Sequence, residues 1–325
     1  MPYTYHMQHT KPILTLIVLA MVMPELVTGS TTLPSFLIPI NFIINFLGYG
    51  IAILLIRELY VRYKLNFLGL FLLGVAYAGL NEGIIAKTFL LESGIPWNIF
   101  DNYGYILGIS VPWALAMSIW HSVFSVMFPI LATHFLFVGV SRDSWLNKKT
   151  IALLLVPLTF VSLAAFFGPF RGQGTVEQLL LILSGMTVLT LLSVWFCRKK
   201  EEGEPQYPIT TKPVWLGVST VLSWTILLCI VMVGLKVPLL LFFAVFASIV
   251  AFYMYIFRKK IGITNDTLLL FILGGYFQTA ITGLLLSFFF VPATFGERLP
   301  AEIIVLTVSV ILLRKVFKRH KTGIV

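Results

Sequence analysis

Two apolar stretches carry the side chains that could do chemistry. Asn81, Glu82 and Lys87 interrupt the run 68–91, and His121 sits among Ser118, Ser122 and Ser125 in the run 111–138. An ionisable side chain inside a membrane span is costly and by default marks a functional site. A carboxyl that gains and loses a proton is a candidate general base for activating water. An imidazole at the same level can donate to a developing oxyanion. Glu82 and His121 are therefore the candidate catalytic pair. Asn45, Asn81, Lys87, Ser118, Ser122 and, from the rim, Glu25 are candidate binding residues. Two ligands fall short of the three protein ligands of catalytic zinc, so neither metal nor cofactor is expected. The neighbouring serines show no clear base–orienter arrangement in the sequence.

Depth is the reason to place the pair in one site. Glu82 precedes Glu92, the end of its apolar run, by ten residues, and His121 follows Ser110 by eleven. At a helical rise both lie about 15–17 Å below the same membrane face. Gly74, Ala78, Glu82 and Ala86 recur at every fourth position, a small-residue ridge that admits a close neighbour. Ser118, His121, Ser122 and Ser125 share one face of the next helix. Lys87, about 140° around from Glu82, is expected to snorkel toward the headgroups. Asn45 is ten residues below Ser35, at the depth of the pair. The aromatic loop between the two helices, with Trp97, Phe100, Tyr103 and Tyr105, reads as an interfacial belt or as a lid over the site.

The elements that must position these residues are membrane helices. The chain is 58% hydrophobic and 11% charged, with a mean hydropathy of +0.96. That excludes an ordinary soluble domain. Apolar runs of span length recur at 13–28, 35–56, 68–91, 111–138, 151–169, 179–195, 214–235, 237–257, 267–291 and 302–313, giving an all-α polytopic bundle of about ten transmembrane helices. The first run also reads as a secretory signal peptide with a weak cleavage site near Gly29, although Pro24 and Glu25 interrupt it and favour a retained span. One transmembrane domain covers 1–325: a polar-site half at 12–140, an apolar half at 150–314 and a basic tail at 314–325. In the later half only neutral polar residues such as Ser223, Thr225, Gln278 and Thr279 are read as lying inside spans, as packing contacts.

The net charge of +10 does not imply nucleic acid, because the cations form short clusters between spans rather than a basic face. Most of them fall on alternate connections, such as Arg57–Arg62–Lys64, Arg142–Lys148–Lys149 and Arg258–Lys259–Lys260. The positive-inside rule then puts both termini in the cytoplasm of a multi-pass cell-membrane protein and the loop between Glu82 and His121 outside. Glu58 and Arg62 form an i,i+4 pair in the favourable order and read as an interfacial anchor, as does His134. Cys197 and Cys229 offer no metal spacing and no convincing disulfide.

The order Asn81-Glu82-Gly-Ile-Ile-Ala-Lys87, then Met117-Ser-Ile-Trp-His121, resembles the first two motifs of the CAAX-type and PrsW-like membrane protease superfamily. That superfamily includes non-catalytic relatives such as the APH-1 subunit of gamma-secretase. The resemblance implies Glu82 as the water-activating glutamate and His121 as the second-motif histidine. It also implies a membrane protein or peptide as substrate. Asn81 stands where the family has a first glutamate, Met117 stands for the usual Phe, and no third-motif His-x-x-x-Asn follows. Three readings stay open: a glutamate-dependent intramembrane hydrolase or its inactive relative, a non-catalytic scaffold or partner subunit, and a proton-coupled small-molecule transporter. Beyond membrane lipid, the sequence names no partner and no oligomeric state.

Overall fold

A computed structural model describes residues 3–27, 31–90, 103–169, 174–199, 208–232, 237–290 and 292–321. Ten long helices run through them: α1 (Tyr3–Val27), α2 (Pro39–Arg62), α3 (Phe67–Ile85), α4 (Val111–Leu136), α5 (Lys148–Phe167), α6 (Val176–Phe196), α7 (Lys212–Met232), α8 (Leu239–Ile261), α9 (Asn265–Phe290) and α10 (Pro292–Lys321). Among the described residues eight helices are long and apolar enough to cross a membrane, and Lys212–Leu228 is a shorter apolar helix. The chain is an all-α polytopic membrane bundle.

The helix boundaries follow local chemistry. Asn66, Asn147 and Thr175 each cap a helix by accepting from a backbone N–H of the first turn, and Thr175 with Gln178 forms a reciprocal capping box. Ser110 precedes α4 in extended conformation and Pro112 occupies its first turn, but the Ser110 side chain makes no capping bond. Before it lies a small hairpin of β1 (Tyr105–Ile106) and β2 (Ile109–Ser110). Its two turn residues, Leu107 and Gly108, both have positive φ, 53° and 74°, as a two-residue hairpin turn requires.

The chain divides into two compact units: Met1–Met21 with Pro39–Glu201, and Val22–Ile38 with Glu202–Val325. The first unit thus takes α5 and α6 together with the helices of the polar stretch, extending beyond the expected boundary near residue 140. Within it α3 packs against both α4 and α6. A Cβ added at Gly74 would lie 2.4 Å from Ser122 Cα, so the glycine lets the backbone of α4 touch α3. A Cβ at Gly79 would lie 2.8 Å from Met186 Cγ on α6. Ser193 Oγ donates to Gly69 O at 2.9 Å, and Asn66 N donates to Cys197 O at 2.8 Å, fastening the end of α6 to the start of α3. Cys197 is a buried free thiol just beyond the span, its pKa pushed up by burial.

Among the boundaries that differ from the sequence expectation, two bear on buried ionisable residues. The third span ends at Ile85 rather than Leu91. Lys87 takes a left-handed backbone, φ 55°, which breaks the helix, and Thr88–Leu90 is a short 3-10 turn. The last helix starts at Pro292, ten residues before the expected start at Glu302, and runs through Pro300 without stopping. Glu92, Trp97 and Phe100, and the lid expected of that loop, lie outside the described residues. Tyr103 and Tyr105 are half-buried.

Candidate functional site

Three membrane helices abandon α-helical bonding near one point. Phe46–Ile51 in α2, Gly79–Ile85 in α3 and His121–Met127 in α4 are π-helical. Such turns are rare and frequently accompany functional sites, because the wider turn re-aims side chains and frees carbonyls. Here one freed group is used at once. Tyr77 OH donates to Gly48 O at 2.9 Å and accepts from Asn81 Nδ2 at 2.8 Å.

Glu82 and His121 meet. His121 Nε2 is 2.9 Å from Glu82 Oε1, and His121 Nδ1 is 2.8 Å from Ser125 Oγ. The other carboxyl oxygen, Oε2, accepts a short hydrogen bond from Thr88 Oγ1, which in turn accepts from Trp113 Nε1 at 3.0 Å. An indole N–H can only donate, so the Thr88 hydroxyl has its own hydrogen to give to Glu82. With Oε2 held as an acceptor, the mobile proton of the pair belongs on the line between Oε1 and Nε2. The imidazole is packed edge-on against Tyr77, with ring centroids 5.4 Å apart, and tilted against Tyr49 at 6.1 Å. His121 is 2% and Ser125 0% exposed, whereas the Glu82 side chain retains 13%. The open end of the chain of bonds is the carboxyl. The buried Ser125 is placed to orient the ring, not to act as a nucleophile.

The two helices reach this point from unequal starting positions. His121 is ten residues into α4, but Glu82 is in the last turn of α3. The equal-depth argument therefore fails in its premise, since α3 stops short. The close approach of α3 and α4 at Gly74 and Ser122 brings the pair together, and Thr88, just past the turn at Lys87, closes onto the other carboxyl oxygen.

The other expected residues divide. Asn81 is buried and tied to Tyr77. Asn45 is buried immediately before the π turn of α2. Ser122 is fully buried at the Gly74 contact and donates to Ser118 O at 2.6 Å. Lys87 does not snorkel. It is 1% exposed, and its Nζ donates to Phe166 O at 3.2 Å and Gly168 O at 3.0 Å. Those carbonyls end α5, where a cation satisfies orphan acceptors and the negative end of the helix dipole. Glu25 lies in the second unit, accepting a short hydrogen bond from Thr31.

Sequence reasoning missed Ser125 as the orienter of His121, although it stood on the right face. It also missed Tyr77, Tyr49, Thr88 and Trp113. Thr88 and Trp113 carry no signal without the backbone turn at Lys87. Tyr77, four residues before Asn81 on the same helix, was the one detectable partner.

A second polar cluster in the first unit surrounds the other acid–base pair. Arg57 is fully buried. It donates to Glu58 Oε1 at 2.9 Å, to His134 Nε2 at 3.3 Å, and to the carbonyls of Asp143 at 2.6 Å and Ser141 at 2.9 Å. Its guanidinium carbon lies 3.5 Å from the centroid of the Trp145 ring. Glu58 also accepts from Arg62, Ser144 and the Trp145 N–H. The expected Glu58–Arg62 anchor is present, but as one edge of a buried network that includes the half-buried His134.

No curated protein and no solved structure matches this chain. The profile of an uncharacterized membrane protein family matches residues 14–319, nearly the whole length, and the chain belongs to that family.

Proposed function

We propose that this membrane protein is a membrane-embedded hydrolase acting on a membrane protein or peptide, with Glu82 as general base and His121 as its partner. The observation that carries this reading is the in-line series Ser125–His121–Glu82, whose least buried end is the carboxyl. A base whose orientation is fixed by a second group, itself oriented by a third, is the arrangement acid–base catalysis uses. Glu82 accepts a proton from water as the resulting hydroxide adds to a peptide carbonyl, and it returns that proton to the departing amine as the C–N bond breaks. Protonation of Glu82 removes the anionic acceptor of His121 Nε2–H, which then turns to the oxyanion. The resemblance of Asn81–Lys87 and Met117–His121 to the CAAX-type and PrsW-like motifs supports the same roles. Terminal-amine labelling of membranes from cells expressing the wild type or Glu82→Gln, at matched protein level, tests the reading. New N-termini seen only with the wild type support it, and identical sets of termini overturn it.

A second reading is favoured by the burial of His121 and Ser125 and by the close Gly74–Ser122 approach. In it the same bonds clamp α3 to α4 in a non-catalytic subunit. The variant Glu82→Gln then loses assembly rather than cleavage, read by size-exclusion chromatography of the purified protein.

A further inference from the structure

The second unit holds a carboxyl that the site above does not use. Glu302 is 0% exposed, and among the described residues neither of its oxygens has a hydrogen-bond partner. It stands ten residues into α10, about 15 Å along the helix. On the same face, seven residues on, Ser309 is also fully buried with an unpartnered hydroxyl. Across the contact lies α9, where a Cβ added at Gly283 would be 3.1 Å from Glu302 Oε1. The glycine makes the room the carboxyl occupies.

The surroundings supply little to hold a negative charge. Arg298, one turn earlier on α10, acts on Glu302 through space, and Glu297 lies beside it in sequence. On α9, the titratable residues are Tyr276 and Asp266. Asp266 is engaged with His320 at 2.6 Å, toward the other end of α10. The polar residues of α9 near Gly283 are neutral and occupied: Gln278 donates to Thr282, and Ser287 donates to Gly283 O. The short helix Leu33–Phe36, which also packs on α10, has no titratable group. An ionised carboxylate taken out of water without hydrogen-bond donors is held at a large cost, and it relieves that cost by taking up a cation.

We propose that Glu302 is a proton-binding site at the contact of α9 and α10, a carboxyl buried without donors for its anion. Protonation changes the charge where α10 meets Gly283 of α9, so this point of the contact responds to proton concentration. The proposal is independent of the Glu82–His121 reading.

Infrared spectroscopy of the purified full chain in detergent tests it. The carbonyl stretch of a protonated carboxyl, present in the wild type at neutral pH and absent in Glu302→Gln, is the expected result, and the band should vanish as the solution is made alkaline. Glu302→Gln mimics the protonated form and should keep the elution profile and thermal stability of the wild type. A wild type lacking any Glu302-dependent band from mildly acid to mildly alkaline pH overturns the proposal, since the group is then ionised throughout. Loss of the band on adding sodium ion at constant pH overturns it in favour of a metal-cation site.

Discussion

In the first unit two glutamates, the buried Glu58 and the half-buried Glu82, each touch a basic side chain, and they are built in opposite ways. Glu58 is surrounded by donors that cannot give up their role: two guanidinium groups, a serine hydroxyl and a backbone N–H. Arg57 is committed on its side to carbonyls and to the face of Trp145. The guanidinium, hydroxyl and amide donors around Glu58 keep their protons, so the network is suited to holding helices in register. Glu82 instead faces an imidazole, whose ring nitrogens can donate or accept a proton. Its other carboxyl oxygen accepts from a neutral hydroxyl, that of Thr88. Charge saturation suits an anchor, whereas an imidazole partner and one less buried end suit the proposed site.

The largest expected effect breaks the anchor. Glu58→Ala leaves the Arg57 charge buried without its counter-ion and should cost about 3–5 kcal/mol, or abolish folding. Thermal unfolding in detergent measures it. Next comes Gly74→Val, which drives a side chain into the Ser122 backbone 2.4 Å from the added Cβ position. Overpacking of about 1–3 kcal/mol is expected, together with separation of Glu82 from His121. Glu82→Gln should destabilise less than Glu58→Ala, by about 1.5–3 kcal/mol for a lost charge-assisted hydrogen bond, while removing all cleavage. If the two glutamate variants unfold alike, the contrast between anchor and site is lost. The smallest change is Ser125→Ala, about 1 kcal/mol in the same melt, with a proportionally larger fall in activity because the imidazole loses its orientation.

Much of this was legible from residue type alone. Apolar runs gave the helical bundle, and one acid and one imidazole inside such runs gave the pair, because few other residues resist burial so strongly. What stayed hidden depended on backbone detail. The left-handed turn at Lys87 ends α3 early, brings Thr88 onto Glu82 and redirects the lysine to the end of α5, and no local sequence rule places a lysine there. Arg57 looked interfacial because it closes an apolar run, yet the chain around residues 140–145 wraps over it and supplies carbonyls. Glu302 was hidden because it stood at the very start of the expected run 302–313, whereas α10 begins at Pro292 and carries it into a helix interior. The π turns leave no sequence mark, since they redistribute hydrogen bonds rather than residues.

The central claim is that one proton is held between Glu82 and His121. Nitrogen NMR of the isotopically labelled imidazole of His121, assigned by its loss in His121→Asn, tests it most directly. The account predicts a hydrogen-bonded, protonated Nε2 and an Nδ1 that accepts from Ser125 in the wild type, with both signals shifted in Glu82→Gln. Identical His121 signals in the wild type and Glu82→Gln would contradict it.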